Sequence, residues 1–226
     1  MRHGLDTEPT REAFRVTAET SAASLAAMLI VGTPVAYRLA TTRFRGKTLL
    51  VTLFELPLVL PPAVAGLGLL AAFGRAGLLH TSIPFTQTAV VLAVAFVASP
   101  LYVRAAIAAF ETVDPSLVAA SRTLGAGRAR TFVRIILPLA RGGLSAGAAL
   151  AFARALGEFG ATIMFAGSLR GVTQTLALAV YSEFDVDFDV ALAVSALLVV
   201  VSAALLITLK WLPSISTSRF RFATSS

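Results

Sequence analysis

The 226-residue chain has no cysteine and little charge. Without cysteine it can form neither disulfides nor thiolate metal sites, and thiol catalysis is excluded. Only 14% of its residues are charged, whereas a soluble domain carries about 25%. The hydrophobic share is 57% and the mean hydropathy is +0.83, which is more apolar side chain than a small soluble fold can bury. These shortages exclude a soluble enzyme, a disordered chain and a fibrous protein, and they predict a membrane protein.

Five stretches are apolar over about the 20 residues that a helix needs to cross the hydrocarbon core. They lie at 17–37, 49–73, 88–110, 143–166 and 190–209. A further apolar stretch, 172–184, is too short to span and predicts a re-entrant or interfacial helix, with a sixth crossing as the alternative. We therefore expect an all-α, polytopic transmembrane helical bundle that forms one domain over 1–226 and has five spans.

The connections between these stretches alternate in basic residues. The basic connections hold Arg38, Arg43, Arg45 and Lys47, then Arg122, Arg128, Arg130, Arg134 and Arg141, and finally Lys210, Arg219 and Arg221 in the tail. The other connections hold Arg75 and Arg170 alone. Because Lys and Arg concentrate in cytoplasmic loops, this pattern predicts a plasma-membrane protein with its N-terminus outside and its C-terminus in the cytoplasm. The bilayer explains the net charge of +7 without any nucleic-acid partner.

The long connection between the third and fourth stretches is patterned as a short helix. An Asp-Pro pair at 114–115 is typical of a helix start, and Gly125 stands where a C-terminal glycine stop belongs. Leu117, Ser121 and Leu124 recur at helical spacing and predict one mildly apolar face. Such a capped helix suits docking in a partner's groove, although an amphipathic linker on the membrane surface is the alternative.

This connection resembles the cytoplasmic signature of ABC importer permeases: Glu-Ala-Ala, three residues, Gly, nine residues and Ile-x-Leu-Pro. Ala119, Ala120 and Ser121 occupy the triplet, Gly125 the glycine, and 135–138 the closing motif. Ala119 stands where the family has glutamate and Ser121 where it has the second alanine. The resemblance implies that 112–138 is a cytoplasmic coupling segment. The residues expected to couple to the ATPase are Ala119, Ala120, Ser121, Leu124, Gly125 and Arg128.

Three further segments resemble the molybdate/tungstate subfamily of these permeases, with sulfate permeases as near relatives. They are 56–62 (LPLVLPP), 122–128 (RTLGAGR) and 150–163 (LAFARALGEFGATI). The resemblance implies a homodimeric oxyanion pore with two cytoplasmic ABC ATPase subunits and an extracytoplasmic oxyanion-binding protein. It also implies that this chain is a transport subunit without a cofactor of its own, since the partner ATPase binds ATP. A sulfate/thiosulfate permease is the alternative within the family.

Four ionisable residues fall inside the predicted spans: Glu55, Arg104, Arg154 and Glu158. Such groups usually face a bundle interior or a water path because they are costly in lipid. Arg154 and Glu158 are four residues apart, so on a helix they could form an ion pair. The cluster of these four residues is predicted to lie at the subunit interface or gate, with a static brace between helices as the alternative.

Prolines interrupt the second predicted span at Pro57, Pro61 and Pro62. Proline removes an intrahelical hydrogen bond and bends a helix, and broken membrane helices often line a cavity. We predict a pore-lining helix here, with a packing kink as the alternative.

The sequence predicts no enzymatic site. Residues 143–147 fit G-x-S-x-G, but they also fit a GxxxG helix-packing face, which is the favoured interpretation. A serine nucleophile needs a nearby base, and both histidines, His3 and His80, are predicted on the opposite side of the membrane. No phosphate-binding loop and no set of metal ligands is predicted, so ATP hydrolysis must belong to another subunit. An ATP-independent anion channel is the rival from another class, but it would not need a capped cytoplasmic helix.

Overall fold

The computed structural model describes residues 8–214, and these contain helices and no strand. In chain order the elements are α1 (Glu8–Thr41), α2 (Lys47–Val59), α3 (Pro62–Phe73), α4 (Gln87–Glu111), α5 (Pro115–Thr123), α6 (Arg128–Thr131), a π-helical turn (Phe132–Ile136), α7 (Leu137–Leu156), α8 (Gly160–Ala166), α9 (Leu176–Phe184) and α10 (Phe188–Ser214). The all-α prediction is confirmed for this range. The predicted tail cations Arg219 and Arg221 and the side chain of Lys210 lie outside the described residues, as does His3.

The number of spans differs from the prediction. Within the described range, three helical stretches are long and apolar enough to cross a membrane: α1, α4 and the continuous stretch Arg128–Leu156. The bent pair of α2 and α3 makes a fourth if it counts as one crossing, and Phe188–Ala204 is a shorter apolar helix. The prediction of five firm membrane spans is therefore wrong. Hydropathy counts apolar residues but does not register the breaks that proline and glycine make in the helices.

The first helix is longer than the predicted span because it extends through the charged residues that precede the apolar stretch. The apolar stretch predicts a span from residue 17, yet α1 begins at Glu8. Arg15 and Glu19 form an ion pair of 2.7 Å at helical spacing, which lets the helix run through the charged turns. At the other extreme, α9 has 9 residues and is too short to span, which agrees with the short helix predicted inside 172–184.

The connections gather at two opposite ends of the bundle. At one end, Lys47 at the start of α2 lies 3.9 Å from Glu111 at the end of α4. At the other end, the Leu176 amide donates to Thr17 Oγ1 over 2.8 Å and the Phe85 amide donates to the Phe165 carbonyl. The basic connections after α1 and around α5 thus share the end opposite the start of α1, which we call the basic end.

Small residues bring α4 and α7 into close contact. A Cβ on Gly143 would lie 2.5 Å from the Ala109 Cβ, and a Cβ on Gly147 would lie 2.6 Å from the Ala105 Cβ. Real Cβ atoms do not approach so closely, so both positions require glycine for this packing. Residues 143–147 are therefore a GxxxG packing face, as the sequence allowed.

Candidate functional site

The short helix α5 begins with the cap that the sequence predicts. The Asp114 carboxylate accepts a 2.8 Å hydrogen bond from the Ser116 amide, and Pro115 is the first helical residue. This bond lowers the pKa of the Asp114 carboxyl. Because the bond favours the charged carboxylate, its contribution is lost as the pH falls through the lowered pKa.

The helix ends in a Schellman motif around Gly125. The Gly125 amide donates to the Arg122 carbonyl and the Ala126 amide donates to the Ser121 carbonyl, each over 3.0 Å. Gly125 has a φ of 84°, in the left-handed region that favours glycine. No atom lies within 4 Å of where its Cβ would be, so backbone conformation alone restricts this position. The predicted stop is confirmed.

The outer face of α5 is exposed at the basic end. Leu124 is 89% exposed and Leu117 is 46% exposed. The other predicted coupling residues on this surface, also exposed, are Ala119, Ala120, Gly125 and Arg128. An exposed leucine in a short, rigidly capped helix offers an apolar contact to a partner.

Ser121 does not share that face. It is 6% exposed, and its hydroxyl lies 3.0 Å from Thr131 Oγ1 and donates to the Val118 carbonyl over 2.9 Å. The predicted single face of Leu117, Ser121 and Leu124 is corrected here. Ser121 neighbours Val118 on the inner side of α5, and its small side chain allows α6 to cover it. Within the triplet, Ser121 therefore joins α5 to α6.

The segment continues into a membrane span without a break. Residues Arg128–Leu156 form one helical stretch with a π-helical turn at Phe132–Ile136. Pro138 has no N–H and its ring crowds the carbonyl four residues earlier, so the preceding turn widens. The part of the predicted coupling segment from Arg128 onward is thus helically continuous with α7, whereas α5 is set off from it by the turn at Gly125.

The second predicted span is broken at its prolines. Helices α2 and α3 meet at an angle of 116°. Leu60 has an extended conformation, as a residue before proline prefers, and Pro62 begins α3. Pro57 is buried inside α2. The predicted interruption is confirmed, although a pore-lining role stays a prediction.

The fourth predicted span is also broken, which the sequence reading missed. Helix α7 ends at Leu156 and α8 begins at Gly160, so 143–166 is not continuous. The Glu158 carboxylate accepts a 2.7 Å hydrogen bond from the Ala161 amide and lies 2.7 Å from Arg154 Nη1. The predicted Arg154–Glu158 pair therefore exists, but it bridges the end of α7 to the start of α8 rather than lying along one helix.

The burial of this pair is asymmetric. The Glu158 side chain is 1% exposed and that of Arg154 is 32% exposed. A carboxylate at such depth needs a counter-charge, and the free N–H groups at the start of α8 supply only partial positive charge. Arg154 is therefore what makes an ionised Glu158 tolerable at this position.

The two helix breaks pack directly against each other. A Cβ on Gly66 in α3 would lie 2.5 Å from the Ala161 carbonyl oxygen, and a Cβ on Gly160 would lie 2.9 Å from the Pro62 Cβ. The start of α3 thus rests on the start of α8, beside the carboxylate of Glu158. Proline and glycine here shape one shared junction, which we call the double break.

Replacing Gly66 by alanine should loosen the double break. The added Cβ meets backbone atoms of Ala161, which cannot rotate away, and overpacking of this kind costs about 1–3 kcal/mol. Gly68, two residues further along α3, has no atom within 4 Å of its Cβ position and supplies the matched control. We expect Gly66→Ala to lower the thermal unfolding midpoint of the purified protein and Gly68→Ala to leave it unchanged or raise it. An unchanged midpoint in Gly66→Ala would contradict this packing.

A second intramembrane ion pair joins α2 and α4. Glu55 Oε1 lies 3.1 Å from Arg104 Nε, and the two side chains are 33% and 62% exposed. The sequence predicts no contact between these two residues, because they are 49 positions apart and such a separation gives no local signal of pairing. All four ionisable residues predicted inside the spans are therefore paired with opposite charges.

Solved structures share this arrangement of helices. The chain superposes on a methionine ABC transporter captured in inward-facing conformations with a TM-score of 0.68, over 91% of this chain and 97% of that one, at 22% identity. It superposes on a bacterial ABC transporter that imports alginate with a TM-score of 0.74, over 94% and 82%, at 15% identity. The fold is therefore that of membrane-spanning subunits of ABC transporters.

The sequence comparisons give the family. Residues 28–221 match the model of the binding-protein-dependent transport system inner membrane component, and the chain belongs to this family. It is thus a transport subunit of the membrane and not an enzyme. The molybdenum transport system permease of Escherichia coli K12 is 38% identical over 94% of this chain and 97% of its own length. The corresponding permease of Mycobacterium tuberculosis is 44% identical over 88% and 78%, and a probable molybdenum permease of Haloferax volcanii is 44% identical over 87% and 78%.

Proposed function

We propose that this chain is the permease of an ATP-driven importer for molybdate, with tungstate as a related cargo. The choice of molybdate as the transported substrate is supported by the similarity, over most of both chains, to permeases named for molybdenum transport. ATP is bound by the partner ATPase and not by this chain, which lacks a phosphate-binding loop.

The exposed ion pair between α2 and α4 supports a pore formed by two copies of the chain. Ionised groups inside a membrane avoid lipid, yet Arg104 is 62% exposed in the single chain. A water-filled path or a second subunit must therefore cover it. A homodimer with α2 and the double break beside the central path satisfies this need. Arg104 and Arg154 then offer positive charge to a passing oxyanion, while Glu55 and Glu158 keep that attraction weak enough for release.

The basic end is the cytoplasmic side in this proposal. Arg43, Arg45, Lys47 and the arginines around α5 lie there, and such residues concentrate in cytoplasmic loops. The start of α1 then faces outside, together with the surface that receives the oxyanion-binding protein. The C-terminus is accordingly cytoplasmic.

Motion of the ATPase is transmitted to the permease through the outer face of α5. Leu117 and Leu124 are exposed and contact the ATPase, Ser121 ties α5 to α6, and the helix runs on to α7. Closure of the ATPase dimer on ATP therefore moves α7 and, at its end, the Arg154–Glu158 pair and the double break. ATP and cargo bind different subunits, and both bias one two-state pore.

Co-purification tests this assembly against the channel alternative. We expect the tagged permease, co-expressed with its ATPase, to elute with it, and native mass spectrometry to give two permease and two ATPase subunits. Leu124→Asp should abolish co-purification because it places a charge on the apolar contact. A permease that elutes alone and conducts anions without ATP would contradict the proposal and favour a channel.

A further inference from the structure

A cleft of about 740 Å³ opens at the basic end, behind α5. It lies between the end of α1, the start of α2, the end of α4 and the inner side of α5. Its lining includes Tyr37, Phe110, Arg43, Lys47, Glu111 and Arg122. Leu117 and Leu124, on the outer face of α5, are exposed and are not among its lining residues. The cleft is therefore separate from the surface proposed to contact the ATPase.

The charge of the cleft is positive and incompletely paired. Lys47 lies 3.9 Å from Glu111, which balances one cation with the one carboxylate of the lining. Arg43 and Arg122 are exposed, and neither has an acidic partner within residues 8–214. Two guanidinium groups are thus left facing one cavity. Guanidinium groups bind phosphate oxygens in a bidentate manner, and two of them suit a single anionic head group.

The wall beside these arginines is aromatic and apolar. The Tyr37 and Phe110 rings meet edge to face at 5.5 Å, and Tyr37 lies 4.8 Å from the Phe132 ring. Tyr37 lines the cleft next to Phe110, so this wall is largely aromatic. A free inorganic anion would not use the apolar wall, whereas a ligand with both a charged head and a hydrocarbon tail would.

The level of the cleft matches the head-group region of a bilayer. It sits where α1 ends at Thr41 and α4 ends at Glu111, so that these two spans leave the membrane around it. If this end is cytoplasmic, as proposed above, it faces the leaflet whose anionic lipids attract basic clefts between membrane helices.

We propose that this cleft binds an anionic phospholipid, with Arg43 and Arg122 holding the phosphate and the apolar wall receiving the start of an acyl chain. This inference rests on the cytoplasmic placement of the basic end. Because Arg122 belongs to α5 and Arg43 to the α1–α2 connection, the lipid links the coupling segment to the bundle. The lipid therefore steadies α5 from behind while the ATPase contacts its outer face.

Native mass spectrometry of the permease–ATPase complex tests the site. The complex is titrated with phosphatidylglycerol and, separately, with zwitterionic phosphatidylcholine. We expect tighter binding of phosphatidylglycerol. We also expect Arg43→Gln/Arg122→Gln to weaken that binding roughly 25-fold, from about a fivefold effect for each of the two cations. Arg45→Gln/Arg130→Gln removes the same charge from exposed residues at the same end that do not line the cleft. This control should change lipid binding little.

Three results would overturn the inference. If phosphatidylglycerol binding weakens equally in both double variants, the binding depends on general surface charge and not on this cleft. Displacement of the bound lipid by millimolar inorganic phosphate would make the cleft a site for a soluble anion. Loss of ATPase co-purification in Arg43→Gln/Arg122→Gln alone would assign the cleft to the ATPase contact. Because the permease–ATPase assembly is scored separately, failure of the lipid site leaves the proposed transport function standing.

Discussion

Gly125→Val is expected to impair ATP-driven uptake severely while the permease still inserts and folds. Gly125 has a φ of 84°, and a non-glycine residue in that region costs about 1–2 kcal/mol, more when it is β-branched. The Schellman bonds at the end of α5 would open, and exposed Leu124 would shift relative to the ATPase. Since no atom crowds the position, the loss acts through the helix end and not through the core. Uptake should fall at least tenfold, with the same amount of protein in the membrane.

Two matched variants isolate that conformational cause. Gly127 has a φ of −67° and open space at its Cβ position, so Gly127→Ala should transport normally. Gly125→Asn should retain much of the activity because asparagine tolerates the left-handed region, whereas Gly125→Asp adds a charge at the contact and should uncouple ATP hydrolysis from transport. Normal ATP-driven uptake in both Gly125→Val and Gly125→Asp would contradict a coupling role for this turn.

Arg154→Ala is expected to destabilise the permease strongly. It leaves the carboxylate of Glu158, whose side chain is 1% exposed, without a counter-charge. Breaking a buried pair by removing one partner costs about 3–5 kcal/mol, and the partial exposure of Arg154 places the effect near the lower end of that range. Glu158→Gln should cost less, because the amide oxygen still accepts from the Ala161 amide. Thermal unfolding of the purified protein measures both.

The double variant Arg154→Ala/Glu158→Gln decides between a gate and a brace. It removes the unpaired charge, so most of the stability lost in Arg154→Ala should return. If the pair acts in the gate, uptake stays low in this stabilised variant, which is the result that we expect. Recovery of uptake together with stability would instead show that Arg154 and Glu158 only brace the helices.

The features that the sequence predicts correctly are those determined by residues close together in the chain. The start of α5 depends on Asp114 and its neighbours, its end on Gly125, and the bend of the second span on Pro61 and Pro62. Each of these features forms within a few residues of chain, so composition and spacing suffice. The same is true of the GxxxG face at 143–147, whose spacing alone presents a small-residue surface.

Features that need a distant partner were missed. The spacing of Ser121 predicts a position on the outer face of α5, but Thr131 covers this residue once the chain folds back. The Glu158 carboxylate accepts from the Ala161 amide of α8 at a junction packed against α3, and hydropathy does not reveal this contact. The Glu55–Arg104 pair joins two helices far apart in sequence. For the same reason five apolar stretches did not yield five intact spans.

Uptake of molybdate into proteoliposomes tests the central claim most directly. The vesicles contain the permease with its ATPase, enclose ATP, and are supplied with the oxyanion-binding protein outside. The account predicts molybdate accumulation that requires both ATP and the binding protein, is competed by tungstate, and resists equimolar sulfate. Molybdate flux that persists without ATP, or sulfate accumulation in place of molybdate, would contradict it.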